Sequence, residues 1–195
     1  MRPIFVFLLF LFTSTTSFAT EIAASSTPTR VKLQTTLGDI VIELNDQKAP
    51  ITVNNFLQYV KSGYYDGTIF HRIIPGFMAQ GGGFDRHFQK KVTRAPIKNE
   101  SNNGLRNDRA TIAMARMSHP DSASAQFFIN YANNNSLNYP IQNGSGYAVF
   151  GKVISGMEVV DKMAQQATGS RKGHRNVPIT NIVIEKAQVL PNTMQ

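Results

Sequence analysis

Residues 69–84 read "IFHRIIPGFMAQGGGF". Arg72 stands there in an apolar run, and the stretch holds no carboxylate. Along a strand, alternate side chains point to opposite faces. Phe70, Arg72 and Ile74 are therefore expected on one face, with His71 and Ile73 on the other. Arginine keeps its proton in proteins. It offers a fixed fork of donors, suited to chemistry that needs charge or hydrogen bonding without proton transfer. Pro75 and Gly76 make a turn that presents Phe77 and Met78. Gln80 shares the face of Met78, and its carbonyl oxygen can brace a guanidinium. Gly81, Gly82 and Gly83 allow a backbone or a ligand to approach closely. Further on, "QFFIN" sets Gln126 and Phe128 on one face of another strand. From these residues alone two readings stand open: a pocket built around Arg72, or an arginine paired with an acid on another strand beside ordinary core aromatics.

Working outward, β-runs and helices alternate with turn residues. "VKLQTT" and "IVIEL" flank a Gly-Asp turn. "APITVNNFLQYVKSG" reads as a helix: Pro50 suits its first position, Val53, Phe56, Leu57 and Val60 follow helical spacing, and Gly63 lies just past the end. "TIFHRII", "GFMAQ", "ATIAMARM", "AQFFINYA" and "YAVFGKVI" are further short strands. A second helix follows, with Ser155 and Glu158 spaced as a capping box and Val160, Met163, Ala164 and Ala167 as its apolar face. "TGSRKGHRN" reads as a loop, "NNNSLN" as a locally biased loop, and "ITNIVIEKAQVL" as a closing strand. About eight short strands and two amphipathic helices point to a mainly β domain, a closed antiparallel barrel or a sandwich. The open ends of a barrel would receive the apolar faces of the helices.

The chain has 195 residues, no cysteine and a net charge of +8. Residues 1–19 have the layout of a secretory signal peptide. Arg2 precedes nine apolar residues, Ile4 to Phe12, and Ser17 and Ala19 form a small-x-small cleavage site. Nine is about half of the ~20 residues that a spanning helix needs, and no later stretch is apolar enough to cross a membrane. Residues 20–30 read as a linker, 31–190 as one domain and 191–195 as a tail. Export without disulfides favours a bacterial periplasm, with secretion as the alternative. Between Arg86 and Arg116 eight Lys/Arg face only Glu100 and Asp108. That stripe reads as a solvated face, and nucleic acid is not an expected partner. His71 and His119 lack the spacing of metal ligands, and "QGGGF" lacks the GK[ST] ending of a phosphate loop. No metal or cofactor is expected.

"FHRIIPGFMAQGGGF", "SAQFFIN" and "YAVFGKVISGMEVVDKM" together resemble the signatures of the cyclophilin family of peptidyl-prolyl cis-trans isomerases. "PIKNESNNGLRNDRATIAMAR" is similar to its bacterial branch, and the resemblance runs from about Val31 to Leu190. It implies a closed eight-stranded antiparallel β-barrel capped by two α-helices. It also implies rotamase activity on X–Pro bonds of unfolded or partly folded, exported polypeptides, acting as a monomer. In that family Arg72 would be the catalytic arginine. Phe77, Met78, Phe128 and Leu137 would wall a proline pocket, and Gln80 would brace Arg72 and touch substrate. Ala115, Met117 and Gln126 would touch the substrate backbone, Arg116 would stand where many relatives have asparagine and tune substrate choice, Tyr147 would stand at the rim where many relatives have histidine, and His71 at the edge. Ser136 occupies the position where many eukaryotic relatives carry a tryptophan that contacts cyclosporin, so weak cyclosporin binding is expected. A binding module or chaperone using the same pocket, with turnover incidental, is the alternative function.

Overall fold

The computed structural model describes residues 28–141 and 144–191. The expected signal peptide, most of the linker and the last four residues of the tail lie outside the described residues.

Eight strands close into an antiparallel barrel. They are β1 (Arg30–Thr35), β2 (Gly38–Leu44), β3 (Thr68–Ile74), β4 (Met78–Asp85), β5 (Thr111–Met114), β6 (Phe127–Asn130), β7 (Val149–Ser155) and β10 (Ile182–Val189). Their order around the barrel is β1-β10-β3-β4-β6-β5-β7-β2. The barrel is filled by side chains. Phe56, Tyr65, Phe70, Phe127 and Phe150 are fully buried, and Phe56 lies 5.1–5.7 Å by ring centroid from Tyr65, Phe127 and Phe150. Helix α1 (Pro50–Lys61) packs against β10, and α2 (Met157–Ala164) against β2, β3 and β4. No helix among the described residues is long and apolar enough to cross a membrane.

Helix α1 begins at Pro50, where the missing N–H costs nothing. It ends at Gly63, which adopts φ +66° while the amides of Gly63 and Tyr64 bond back to Val60 and Tyr59. Its N-terminus is capped from a distance. Ala49 has no side chain to offer, and Glu100 instead accepts from the amides of Ile51 (3.0 Å) and Thr52 (2.8 Å) and from the Thr52 hydroxyl (2.6 Å).

Four local expectations change. The capping box at Ser155 does not form. Ser155 is still paired with Val41 in the β7–β2 ladder, and Gly156 is the N-cap, at φ +86°. A Cβ at Gly156 would fall 2.1 Å from the Asp39 carbonyl oxygen, so the position that starts α2 excludes any capping side chain. The buried face of α2 is Val159, Val160 and Met163, while Ala167 lies beyond the helix and is exposed. "TGSRKGHRN" is not a loop but a hairpin of β8 (Thr168–Arg171) and β9 (His174–Pro178). Lys172 (φ +48°) and Gly173 (φ +81°) form its tight turn, the primed geometry that matches strand twist. The strands carry no apolar alternation, so the pattern that marks a strand was missing. The fourth change, in β3, shapes the site and is described with it.

The basic segment 86–116 keeps most of its cations exposed, as expected, and several of them are also tied into the fold. Arg109 makes a two-pronged ion pair with Asp161 (3.1 and 2.8 Å). Arg94 reaches Gln58 at 2.9 Å and lies over the Tyr59 ring, and Lys91 bonds the Tyr64 carbonyl while lying over its ring.

Replacing Glu100 tests the remote cap. Glu100→Gln is expected to cost about 1–2 kcal/mol of folding stability, read as a lower urea midpoint with an unchanged slope. An unchanged midpoint would show that water caps α1 as well as Glu100 does.

Candidate active site

Strict alternation fails in β3, and the failure builds the site. Phe70 and Ile73, three residues apart, both enter the main core, whereas Ile69, His71, Arg72 and Ile74 face outward. The cause is a bulge. Phe70 pairs with Gly81 and Arg72 with Gln80, so two steps along β3 oppose one along β4. The expected grouping of Phe70 with Arg72, and of His71 with Ile73, is thereby overturned.

Arg72 is exposed, and its Nη1 donates to Gln80 Oε1 at 3.4 Å. Gln80 Nε2 in turn donates to Gln126 Oε1 at 2.9 Å. The brace expected of Gln80 is present, extended by one amide to Gln126, just before β6. Gly83 makes room for it: a Cβ there would lie 2.5 Å from Gln126 Cδ. The neighbouring glycines admit protein side chains. Phe70 fills the space beside Gly81, and Tyr65 and Phe127 that beside Gly82.

Beside Arg72 opens a cup of about 360 Å³. Phe77, Met78, Phe128, Leu137 and Tyr147 give its apolar surface, while Arg72, Gln80, Ala115 and Arg116 complete it. Met78 and Phe128 are nearly fully buried, in a cluster separate from the barrel core. Tyr147 meets Phe128 edge-on at 5.8 Å. The cup thus collects nine of the expected residues, drawn from β3, β4, β6 and the loops around them.

Four residues are placed apart from the rest. The Arg116 guanidinium is committed to the protein: it donates to the carbonyls of Gly146 (3.0 Å) and Met117 (2.9 Å) and to the Ser145 hydroxyl (2.9 Å), and stacks 4.7 Å above Tyr147. It fastens the rim. Met117 is 72 % exposed and lines a second groove, of about 600 Å³, rather than the cup. His71 is buried outside the cup, against Phe84 at 4.7 Å, and borders a third depression that it shares with Arg72, Gln80 and Gln126. Gln126 lines the second groove and the third depression but not the cup.

A network of buried asparagines was not anticipated. Asn107 Nδ2 donates to the carbonyls of Leu137 and Tyr147 (3.3 and 3.2 Å), and its own backbone N–H to Asn138 Oδ1 (2.7 Å). Asn134 Nδ2 donates to the Phe77 carbonyl (2.8 Å) and to Asn130 Oδ1 (2.7 Å), and Asn130 donates to Asn107 Oδ1 (3.3 Å). These amides hold the loops bearing Phe77, Leu137 and Tyr147 at fixed spacing. The run of asparagines in "NNNSLN" was the available signal, but composition does not reveal which amides are buried. Among the described residues no group of three or more His, Asp or Glu is placed to hold a metal ion.

The arrangement offers an apolar cup with one permanent cation at its lip and two amides behind that cation. No general base stands in it. The sequence family described as cyclophilin type peptidyl-prolyl cis-trans isomerase/CLD matches residues 30–189. A peptidyl-prolyl cis-trans isomerase of Streptomyces antibioticus is 57% identical over 162 residues, covering 82% of this chain and 98% of its own. Peptidyl-prolyl cis-trans isomerase A of Dickeya dadantii is 54% identical over 177 residues, covering 91% of this chain and 92% of its own. Among solved structures, a Cryptosporidium parvum cyclophilin type peptidyl-prolyl cis-trans isomerase, crystallised in the presence of the dipeptide Ala-Pro, superposes with a TM-score of 0.67 at 32% identity, covering 84% of this chain and 99% of its own.

His71 makes a pH prediction. Burial, and then the neighbouring His174, push its imidazole from the ordinary 6.5 down to about 4, and its Nδ1 has no hydrogen-bond partner. Below pH ~6.5 the unfolded chain takes up a proton that the folded chain refuses, so stability falls as the pH drops towards ~4. Roughly 3 kcal/mol is expected from this group across that window. Urea unfolding at several pH values should give a shallower slope for His71→Phe than for the parent. Identical slopes would show that the imidazole titrates normally.

Proposed function

We propose, from the premise that this chain belongs to the cyclophilin-type peptidyl-prolyl cis-trans isomerase family, that its isomerase chemistry is centred on Arg72 and the adjoining cup. A peptide bond resists rotation by ~18–20 kcal/mol because the nitrogen lone pair is delocalised. An X–Pro bond populates both isomers yet exchanges over tens to hundreds of seconds. At the twisted midpoint the lone pair returns to the proline nitrogen, which becomes a hydrogen-bond acceptor. A guanidinium placed there stabilises the midpoint more than either planar end state, and this difference is what accelerates the reaction. No bond breaks and no proton needs a permanent home, which accords with a group that never deprotonates.

The observation that carries this reading is the position of Arg72: exposed, paired with no carboxylate among the described residues, and tied through Gln80 to Gln126 at the lip of an apolar cup. In this reading the cup takes the pyrrolidine ring between Phe77, Met78, Phe128 and Leu137, with Tyr147 at the rim. Ala115, Arg116, Met117 and Gln126 border the path of the flanking chain, and His71 supports the lip from behind. The Ala-Pro dipeptide named with the Cryptosporidium parvum protein supports a proline in this cup. The substrates are proline-containing polypeptides in the course of folding after export, met in the periplasm by a monomeric enzyme. The signal-like pattern of residues 1–19 supports that location. A mature N-terminus other than Thr20, or a protein retained in the cytoplasm, would refute it.

Arg72→Ala is expected to leave the fold intact and to lower kcat/KM on an Ala-Pro peptide by roughly 10²–10³-fold, the scale of losing one transition-state donor. A rate equal to the parent's would move the function to a binding module that holds proline segments without needing Arg72. In the same assay cyclosporin should inhibit only weakly, because Ser136 offers no indole. Tight inhibition would show that another residue supplies that contact.

A further inference from the structure

The third depression, about 500 Å³, is unlike the cup it adjoins. Arg72, Lys90 and Arg175 bring three permanent cations to it, and His71 and His174 two imidazoles. No carboxylate lines it, and none of the three cations forms an ion pair among the described residues. Asp85, one residue past Phe84, is turned away to the amides of His87 (2.9 Å) and Gln89 (2.8 Å). Like charges gathered in one hollow repel, and folding brings these together from β3, β9 and the segment after β4. An opposite charge entering the hollow would relieve that repulsion.

The hollow is also firmly built. The β8–β9 hairpin is held against the barrel. Val177 is buried with Ile69, Phe84, Phe88 and Val183, and the His174 ring lies 5.3 Å from both Phe84 and Phe88. Lys172 Nζ donates to the His87 carbonyl at 3.3 Å, Arg171 Nη1 to Asn181 Oδ1 at 3.1 Å, and Asn181 Nδ2 to the Arg86 carbonyl at 2.7 Å. The backbone of Lys90 is held by its bridge to Phe84. The hollow is continuous with the cup, since Arg72 and Gln80 line both. A chain whose proline fills the cup has that shared edge within reach of its neighbouring residues.

We propose that this hollow is a specificity subsite for an acidic side chain, Glu or Asp, lying within two residues of the proline in the substrate. It rests on the isomerase reading of the cup. The residues that would confer the preference without forming the cup are Lys90 and Arg175, both exposed. His71, held neutral by burial, contributes shape rather than charge.

The test is a peptide set in which Glu or Gln occupies, one at a time, the two positions before and the two positions after the proline. Isomer exchange is measured by NMR at low and at high ionic strength. At one or more positions the Glu/Gln ratio of kcat/KM should be roughly three- to ten-fold at low salt, and should fall towards one as added salt screens the charges. The double variant Lys90→Gln/Arg175→Gln should bring the ratio close to one. Lys152→Gln, which removes a cation lining a different depression, should leave the ratio as it was. The proposal is overturned if Glu is preferred at no position, if the preference survives the double variant, or if Lys152→Gln abolishes it as well, which would assign it to the net charge of +8. Failure of the unmodified protein to act even on the all-neutral peptide would instead defeat the isomerase reading.

Discussion

One extra residue in β3 decides what the outer wall of the barrel can do. Without the bulge between Phe70 and Arg72, a regular strand would send Phe70 and Arg72 the same way. A guanidinium would then enter the aromatic core, or a phenylalanine would lose its place beside Phe127, 5.9 Å away. Burying an unpaired guanidinium is prohibitive. The bulge settles the conflict by giving Phe70 and Ile73 to the interior and leaving His71 and Arg72 outside. Gly81, opposite the bulge, accommodates it, because a Cβ there would press on Phe70 and on the Ile69 carbonyl oxygen.

From that point the site is a matter of orienting one flexible cation. An exposed arginine has many rotamers, and ordering it costs free energy. Gln80 and Gln126 restrict it with neutral amides, which hold the fork without cancelling its charge. A carboxylate in the place of Gln80 would hold Arg72 more tightly and take away the electrostatic advantage that rotation requires. The 3.4 Å contact between Arg72 and Gln80 is correspondingly loose, leaving donors free to turn into the cup.

Much of this was legible before any coordinates. The turn, strand and helix signals placed the eight strands and both helices, and Met78, Gln80 and Phe128 alternated out of the barrel as a regular strand requires. What was not legible had a common cause: it depended on partners distant in sequence. The bulge is set by β4, the α1 cap by Glu100, and the exclusion of a Ser155 cap by the Asp39 backbone. The β8–β9 hairpin gains its apolar contacts from Phe84 and Phe88, so its own residues show no strand pattern. Arg116 was expected to tune substrate choice because it stands where many relatives have asparagine. Its many bonds to the 145–147 loop could be seen only once that loop was folded beside it.

The asparagine network behind Phe77, Leu137 and Tyr147 has a further consequence. Its members Asn107, Asn130 and Asn134 carry no formal charge and titrate at no accessible acidity, and the chain has no thiol to oxidise. Carboxamide-to-carbonyl links are barely weakened by dissolved ions. The geometry of that wall is thus uncoupled from the chemistry of the surrounding fluid. An enzyme so constructed would keep that wall of its cup in shape in brackish surroundings, where one propped on ion pairs would drift.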